Sequence, residues 1–257
     1  MIGRSSPYLF LFWQLARAEF KVRDQGSVLG FLWTLLQPAL MFLVLYAVFI
    51  RWLGQFVVNY AGYLLVGLVL WNFFARATGT GLSCFRRRSQ LLRNYVFPRE
   101  IMVLSSVAAV LAFTLLELVI LLPMLAWLGA PPSWAWLWLP CVLGALAAFT
   151  TGVSLLLGVL AARYHDLERA WDVASTALFY ATPVFYPASL LKGWKGLLVA
   201  RHPVAVALSL ARQCLLDARA PSLRSLAVLW LVAAATLLVS IAYARAKESE
   251  LTESVLA

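Results

Sequence analysis

The chain has 257 residues, of which 63% are hydrophobic, 14% aromatic and 12% charged. A soluble domain of this length is roughly 25% charged and 45–50% apolar, so this chain lacks the polar surface to stay dissolved once folded and belongs in a membrane. Its 21 Lys and Arg against 11 Asp and Glu leave a net charge of +10, yet no polar stretch is long enough for a nucleic-acid-binding domain, so the charge reports orientation or lipid headgroup contact.

A membrane helix needs about 20 mainly apolar residues. Residues 8–24 are too charged for a span or a cleavable signal. Tyr8, Leu9, Leu11, Phe12, Leu15, Ala16 and Phe20 recur there at helical spacing, with Gln14, Arg17, Lys21 and Arg23 largely opposite. This predicts an amphipathic helix along the cytoplasmic membrane surface, either a simple anchor or one that also touches a partner. Charge-free runs then predict spans at residues 33–50 and 60–75. A third span covers 101–128 and contains Glu117; two prolines, Pro131 and Pro132, separate it from a fourth at 134–162. A fifth is expected at 171–187, interrupted by Asp172 and Pro183, and the last at 225–244.

With the N-terminus placed in the cytoplasm, 14 of the 21 basic residues fall inside and seven outside, as the positive-inside rule requires, so both termini are expected in the cytoplasm. Six of the seven outer ones lie in a single connection, residues 188–223 and the adjoining Arg224. Leu190, Leu191, Trp194, Leu197 and Leu198 give that connection an apolar face, and Pro203 divides it, which predicts two short helices at the outer leaflet or dipping into it. The cytoplasmic stretch 84–98 alternates Arg86, Arg87, Arg88 and Arg93 with Leu91, Leu92, Val96 and Phe97. It reads either as a short helix or as a topogenic charge cluster held by anionic lipid.

Catalytic signatures are missing. There is no Gly-Lys dipeptide, hence no phosphate-cradling GxxxxGK[ST] loop, and no HExxH or GxSxG. Cys84, Cys141 and Cys214 are far apart, as are His165 and His202, so no metal site is expected. Glu117 is the one carboxylate well inside a predicted span; without a basic residue in the neighbouring spans it argues against ion coupling. Asp172, near the inner interface, is expected to cap or to form a salt bridge. The aromatic residues are conspicuous: Trp33, Phe42, Tyr46 and Phe49 along the first span, Trp71, Phe73 and Phe74 ending the second, and Phe179, Tyr180, Phe185 and Tyr186 around the end of the fifth. Interface belts account for many of them. A path for sugars, whose C–H faces suit flat rings, would use them as well.

Residues 23–33 (RDQGSVLGFLW) followed by Gln37-Pro38 resemble the entry to the first span of polysaccharide-exporting ABC-2-type permeases. The run Arg93-Asn94-Tyr95-Val96-Phe97-Pro98 is similar to that family's cytoplasmic loop. Asp166-Leu167, Thr182-Pro183-Val184, Tyr186-Pro187, Pro203 and Arg212 follow in the family's order. His165 and His202 depart from it, standing where an Arg and an Asn are expected. The resemblance covers essentially the whole chain. It implies an all-α integral membrane fold of six spans with an N-terminal interface helix and outer helices before the last span, in one domain and as a homodimer.

It further implies that the chain is no enzyme and holds no cofactor or metal of its own: two copies of a separate ATPase subunit bind ATP and Mg and drive export of lipid-linked polysaccharide across the bacterial inner membrane. The candidate polymers are O-antigen, capsule and teichoic acid. On this reading Phe12, Arg17, Lys21 and Arg23 belong to the interface helix, and Arg86, Arg87, Arg88, Gln90, Leu91, Arg93 and Asn94 to the segment seated in the ATPase. Trp33, Phe42, Tyr46, Phe49, Phe73 and Phe74 would line the transport pathway. Phe179, Tyr180, Pro183, Phe185, Tyr186 and Trp194 would form the outer gate. An exporter of a small hydrophobic compound is the alternative.

Overall fold

The computed structural model describes residues 7–24, 28–94, 97–164, 166–191 and 193–247, without the side chains of 7, 22–24, 28–35, 92–94, 195, 197 and 198. Among the described residues there are ten α-helices and no strand. They are α1 (Pro7–Asp24), α2 (Val28–Leu53), α3 (Tyr60–Arg87), α4 (Ser89–Asn94), α5 (Glu100–Trp127), α6 (Leu139–Arg163), α7 (Leu167–Ala181), α8 (Trp194–Arg201), α9 (Pro203–Leu215) and α10 (Leu223–Ala246). A 3-10 turn at Trp134–Trp138 leads into α6.

Five stretches are long and apolar enough to cross a membrane: Leu36–Leu53, Tyr60–Arg87, Glu100–Trp127, Trp134–Arg163 and Leu223–Ala246. The span expected at 171–187 is different in kind. Pro183 lacks an amide hydrogen and pushes its predecessor out of the helical region, and Thr182 is indeed extended at ψ 141°, so α7 stops at Ala181. Its 15 residues reach about 22 Å, short of the roughly 30 Å of a hydrocarbon core. Residues 182–187 continue as irregular chain.

The helix expected at 60–75 is longer than its charge-free run, continuing through Arg76 to Arg87. Asn59 starts it, accepting from the Gly62 amide at 3.0 Å while its own amide donates to the Leu128 carbonyl at 3.0 Å, which ties the head of α3 to the tail of α5. α3 and α6 form the centre of the bundle, with 67% and 72% of their spans buried, whereas the α2 span is only 11% buried and α10 22%. Thus α2 and α10 leave most of their surface to lipid or to another subunit. α9 is sunk among α3, α6 and α10: Val204, Ala207, Leu208, Ala211 and Leu215, spaced along one face, are all at most 1% exposed.

Small residues allow the central contacts, since lipid gives no hydrophobic drive for helices to associate and close packing must supply it. A Cβ on Gly152 of α6 would stand 2.8 Å from the backbone nitrogen of Leu237 and 2.9 Å from the carbonyl carbon of Thr236 on α10. Neither neighbour is a side chain that can swing aside. Gly152→Leu is therefore expected to lower the thermal unfolding midpoint in detergent, at an energetic cost of at least 1–3 kcal/mol, as over-packing does. Gly79→Ala, where a Cβ meets nothing within 4 Å, should leave the midpoint unchanged or raise it.

Candidate transport groove

Arg76 lies eleven residues before the end of α3, about 16 Å along the axis, so it is inside the bundle and not in a loop. Its Nη1 donates to Oε1 of Glu117 on α5 at 2.6 Å, with the two side chains 17% and 8% exposed. Two charges so placed are tolerated because each neutralises the other where water is scarce. Glu117 therefore has a basic partner, Arg76, on the part of α3 that continues beyond its charge-free run. Oε2 of Glu117 is buried with no hydrogen-bond partner.

Beside this pair a groove of about 750 Å³ runs between α2, α3 and α7. From α2 come Gln37, Met41 and Val44, at spacings of four and three; from α3 come Trp71, Asn72 and Arg76; from α7 come Asp172, Ser175, Thr176, Phe179 and Tyr180. Asp172 and Thr176 are exposed. Asp172 thus borders the groove and does not cap α7. The acid of α7 that forms a salt bridge is Glu168, with Arg86. The lining combines amides, hydroxyls, a guanidinium, a carboxylate and aromatic rings, a set that can hydrogen-bond a polyol and stack on its apolar faces.

One end of the groove abuts residues 182–187, which are held by a cluster around Arg212 of α9. This guanidinium is buried, lies 3.4 Å from the centroid of the Tyr63 ring, and donates to the carbonyls of Tyr63 (3.2 and 3.1 Å), Pro183 (2.8 Å) and Val184 (2.6 Å). No carboxylate pairs with it among the described residues. Carbonyl dipoles and a ring face do that work instead. Gly67 is required here, since a Cβ would collide with the guanidinium and with the Val184 carbonyl. The Tyr60 and Tyr63 hydroxyls donate to the carbonyls of Phe185 and Tyr186, both at 3.0 Å. The Tyr186 hydroxyl in turn donates to the Tyr180 and Ala181 carbonyls at 3.1 and 2.9 Å. The irregular segment is thus pinned to α3, α7 and α9 through its backbone.

At the opposite end of the bundle the three arginines closing α3 reach different elements. Arg86 pairs with Glu168 at the head of α7, Arg87 and Arg88 pair with Glu19 of α1, and Arg88 also donates to the Met102 carbonyl and the Ser105 hydroxyl of α5. Helix α1 is docked further by stacking of Phe20 on Phe113, 4.3 Å apart at 11°.

The residues singled out from the sequence fall into place unevenly. Phe12 is half-buried, and Arg17 and Lys21 are exposed on α1; Gln90 is exposed and Leu91 half-buried on α4. Arg23, Trp33, Arg93 and Asn94 lie outside the described side chains. Phe42, Tyr46 and Phe49 share a face, but it turns towards the bundle: Phe42 stacks on Tyr46, Tyr46 on Tyr60, and Phe49 lies against Phe185 at 5.2 Å. Phe73 and Phe74 are 0% and 2% exposed, so in this subunit they pack the core. Phe179, Tyr180, Phe185 and Tyr186 come together as one ring cluster next to Pro183, and Trp194 is exposed at the start of α8. The residues missed are Gln37, Asn72, Arg76, Ser175 and Thr176 of the groove and Tyr60, Tyr63 and Gly67 of the clamp. Polar residues at positions i and i+4 within apolar helices, Asn72 with Arg76 and Asp172 with Thr176, were the available signal.

The family described as ABC-2 type transporter matches residues 10–216. An O-antigen export system permease protein RfbA of Klebsiella pneumoniae is 30% identical over 200 residues, 77% of each chain, and a protein of the same name from Myxococcus xanthus is 29% identical over 250 residues, 96% of each.

Removing one member of a buried ion pair costs about 3–5 kcal/mol, while replacing both with apolar groups is often neutral. Arg76→Met and Glu117→Leu should each lower the unfolding midpoint sharply, and the double variant should recover most of the loss. A double variant as unstable as the sum of the singles would show that the pair contributes no coupling.

Proposed function

The chain belongs to the ABC-2 type transporter family, and we propose that it is the permease subunit of an ATP-driven exporter of polysaccharide. The observation that carries this reading is the groove: side-chain amides, hydroxyls and rings in line along a membrane-depth wall are the chemistry of a sliding glycan, which must be held weakly at many equivalent points. The relatives named as O-antigen export permeases support the same reading. A small hydrophobic cargo would have no use for Gln37, Asn72, Ser175 and Thr176, which favours the glycan over that alternative.

In this account two copies of the chain face each other across the groove, so that the sparsely packed α2 and the exposed side of α7 become the walls of one channel. The chain sits in the bacterial inner membrane with both termini in the cytoplasm. The end bearing α1, α4 and the arginine cluster faces inward and receives two copies of a separate ATPase subunit, which bind ATP and Mg. Closure of the ATPase would push α4, and the Arg86–Glu168 pair would carry the movement to the head of α7. The basic entrance would accept the head of the lipid-linked polymer. At the outer end, residues 182–187 with α8 and α9 form the gate, closed at rest by the Arg212 cluster.

The test is export itself. The chain and its ATPase partner, expressed in a strain that makes lipid-linked O-antigen but lacks its own permease, should restore polymer to the cell surface. Asn72→Leu with Thr176→Leu should cut surface polymer by about tenfold, the loss of two hydrogen-bonding positions. Val239→Leu on the outward face of α10, 64% exposed, should not. Equal export by all three would remove the groove from the pathway.

A further inference from the structure

We propose that the groove selects its polymer by charge, passing glycans whose repeat is neutral and turning away those with an acid in every repeat, with Asp172 as the residue that discriminates. This rests on the polysaccharide reading above and narrows its substrate class. Three charge-bearing residues belong to the groove and the layer directly behind it. Asp172 stands exposed on the groove side of α7, and Arg76 is the cation lining the groove, but its guanidinium is held by Glu117 at 2.6 Å from behind. Two carboxylates against one guanidinium leave the wall with a net negative charge. Among the described lining residues no second cation offsets it.

An acidic glycan sliding past would bring a carboxylate or phosphodiester to within a few ångströms of Asp172 at every repeat, and like charges held that close in a narrow groove repel. A second copy across the channel doubles the effect. The head of the lipid carrier bears its charge once per molecule, so it meets this barrier a single time. A neutral glycan meets Gln37, Asn72, Ser175 and Thr176, which offer donors and acceptors without charge. Asp172 is free for this role because it performs no structural one found elsewhere on α7: the N-cap position is Asp166, and the ion pair to α3 is made by Glu168. An unneeded carboxylate beside the pathway is a repulsive element of the kind by which specificity is built.

The experiment uses two strains lacking their own permease, each carrying this chain with its ATPase partner. One makes a lipid-linked neutral galactan; its sister makes the same backbone with one galacturonate per repeat. Surface polymer per cell is read with an antibody to the shared backbone, and permease abundance by membrane immunoblot. The neutral polymer should be exported at least about tenfold more efficiently than the acidic one, and Asp172→Asn should shrink that ratio to about threefold or less. Asp172→Glu, which keeps the charge, should retain it. Equal export of both polymers by the unaltered chain, or an unchanged ratio in Asp172→Asn at normal abundance, overturns the charge filter while leaving polysaccharide export standing. Failure to export either polymer overturns the polysaccharide reading itself, and the filter with it.

Discussion

A polar group at membrane depth must find its partner within the protein or face water, because hydrocarbon offers neither donor nor acceptor. This constraint organises the molecule. Thr78, Thr114, Thr150, Thr151 and Ser240 turn their hydroxyls back onto carbonyls three or four residues earlier in their own helices, at 2.7–3.1 Å. Glu117 finds Arg76 across two helices, and Arg212 finds three carbonyls and a ring face. Gln37 of α2, Asn72 and Arg76 of α3, and Asp172, Ser175 and Thr176 of α7 lie together on one groove. Such a concentration of polar side chains is what a pathway needs and a lipid-facing wall does not.

The same constraint explains why α7 stops short of spanning length. Pro183 frees backbone carbonyls that lipid cannot satisfy, and Arg212, Tyr60 and Tyr63 satisfy four of them, at Pro183, Val184, Phe185 and Tyr186. An irregular segment at membrane depth is affordable when its backbone is bonded by neighbouring helices. The bonds are also individually weak enough to be exchanged when the segment moves. Helix α7 is therefore tethered at both ends, by Arg86 through Glu168 at its head and by the clamp just beyond its tail. It is the element through which a movement near α4 would reach the far end of the bundle.

Much of this was legible in the residues. The amphipathic helix expected at 8–24 is α1, Pro7–Asp24, and the last span expected at 225–244 is α10, Leu223–Ala246, because apolar runs and their polar punctuation act locally. A charge normally closes a span, so the expected second span ends at 75; only the partner on α5, 41 residues away, makes Arg76 admissible inside the helix that runs on to Arg87. Periodicity correctly grouped Phe42, Tyr46 and Phe49 on one face of α2. It could not say which neighbour that face meets, and Tyr60 and Phe185 claim it. The aromatic content drew the eye to rings as the track, whereas the polar residues beside Trp71, Phe179 and Tyr180 carry the more distinctive chemistry. Partner identity across helices is a tertiary property, and no spacing rule within one helix contains it.

A conducting groove requires that the face between α2, α3 and α7 meet water while the rest of the mid-membrane surface meets lipid. Thiol labelling tests it directly: with Cys84, Cys141 and Cys214 replaced by Ala, single cysteines at Asn72, Thr176 and Val239 are treated with a charged, membrane-impermeant maleimide in vesicles containing the permease and its ATPase, with and without ATP. Cys at positions 72 and 176 should react in at least one nucleotide state while position 239 stays unlabelled in all. Protection of positions 72 and 176 in every state, or equal labelling of position 239, would contradict it.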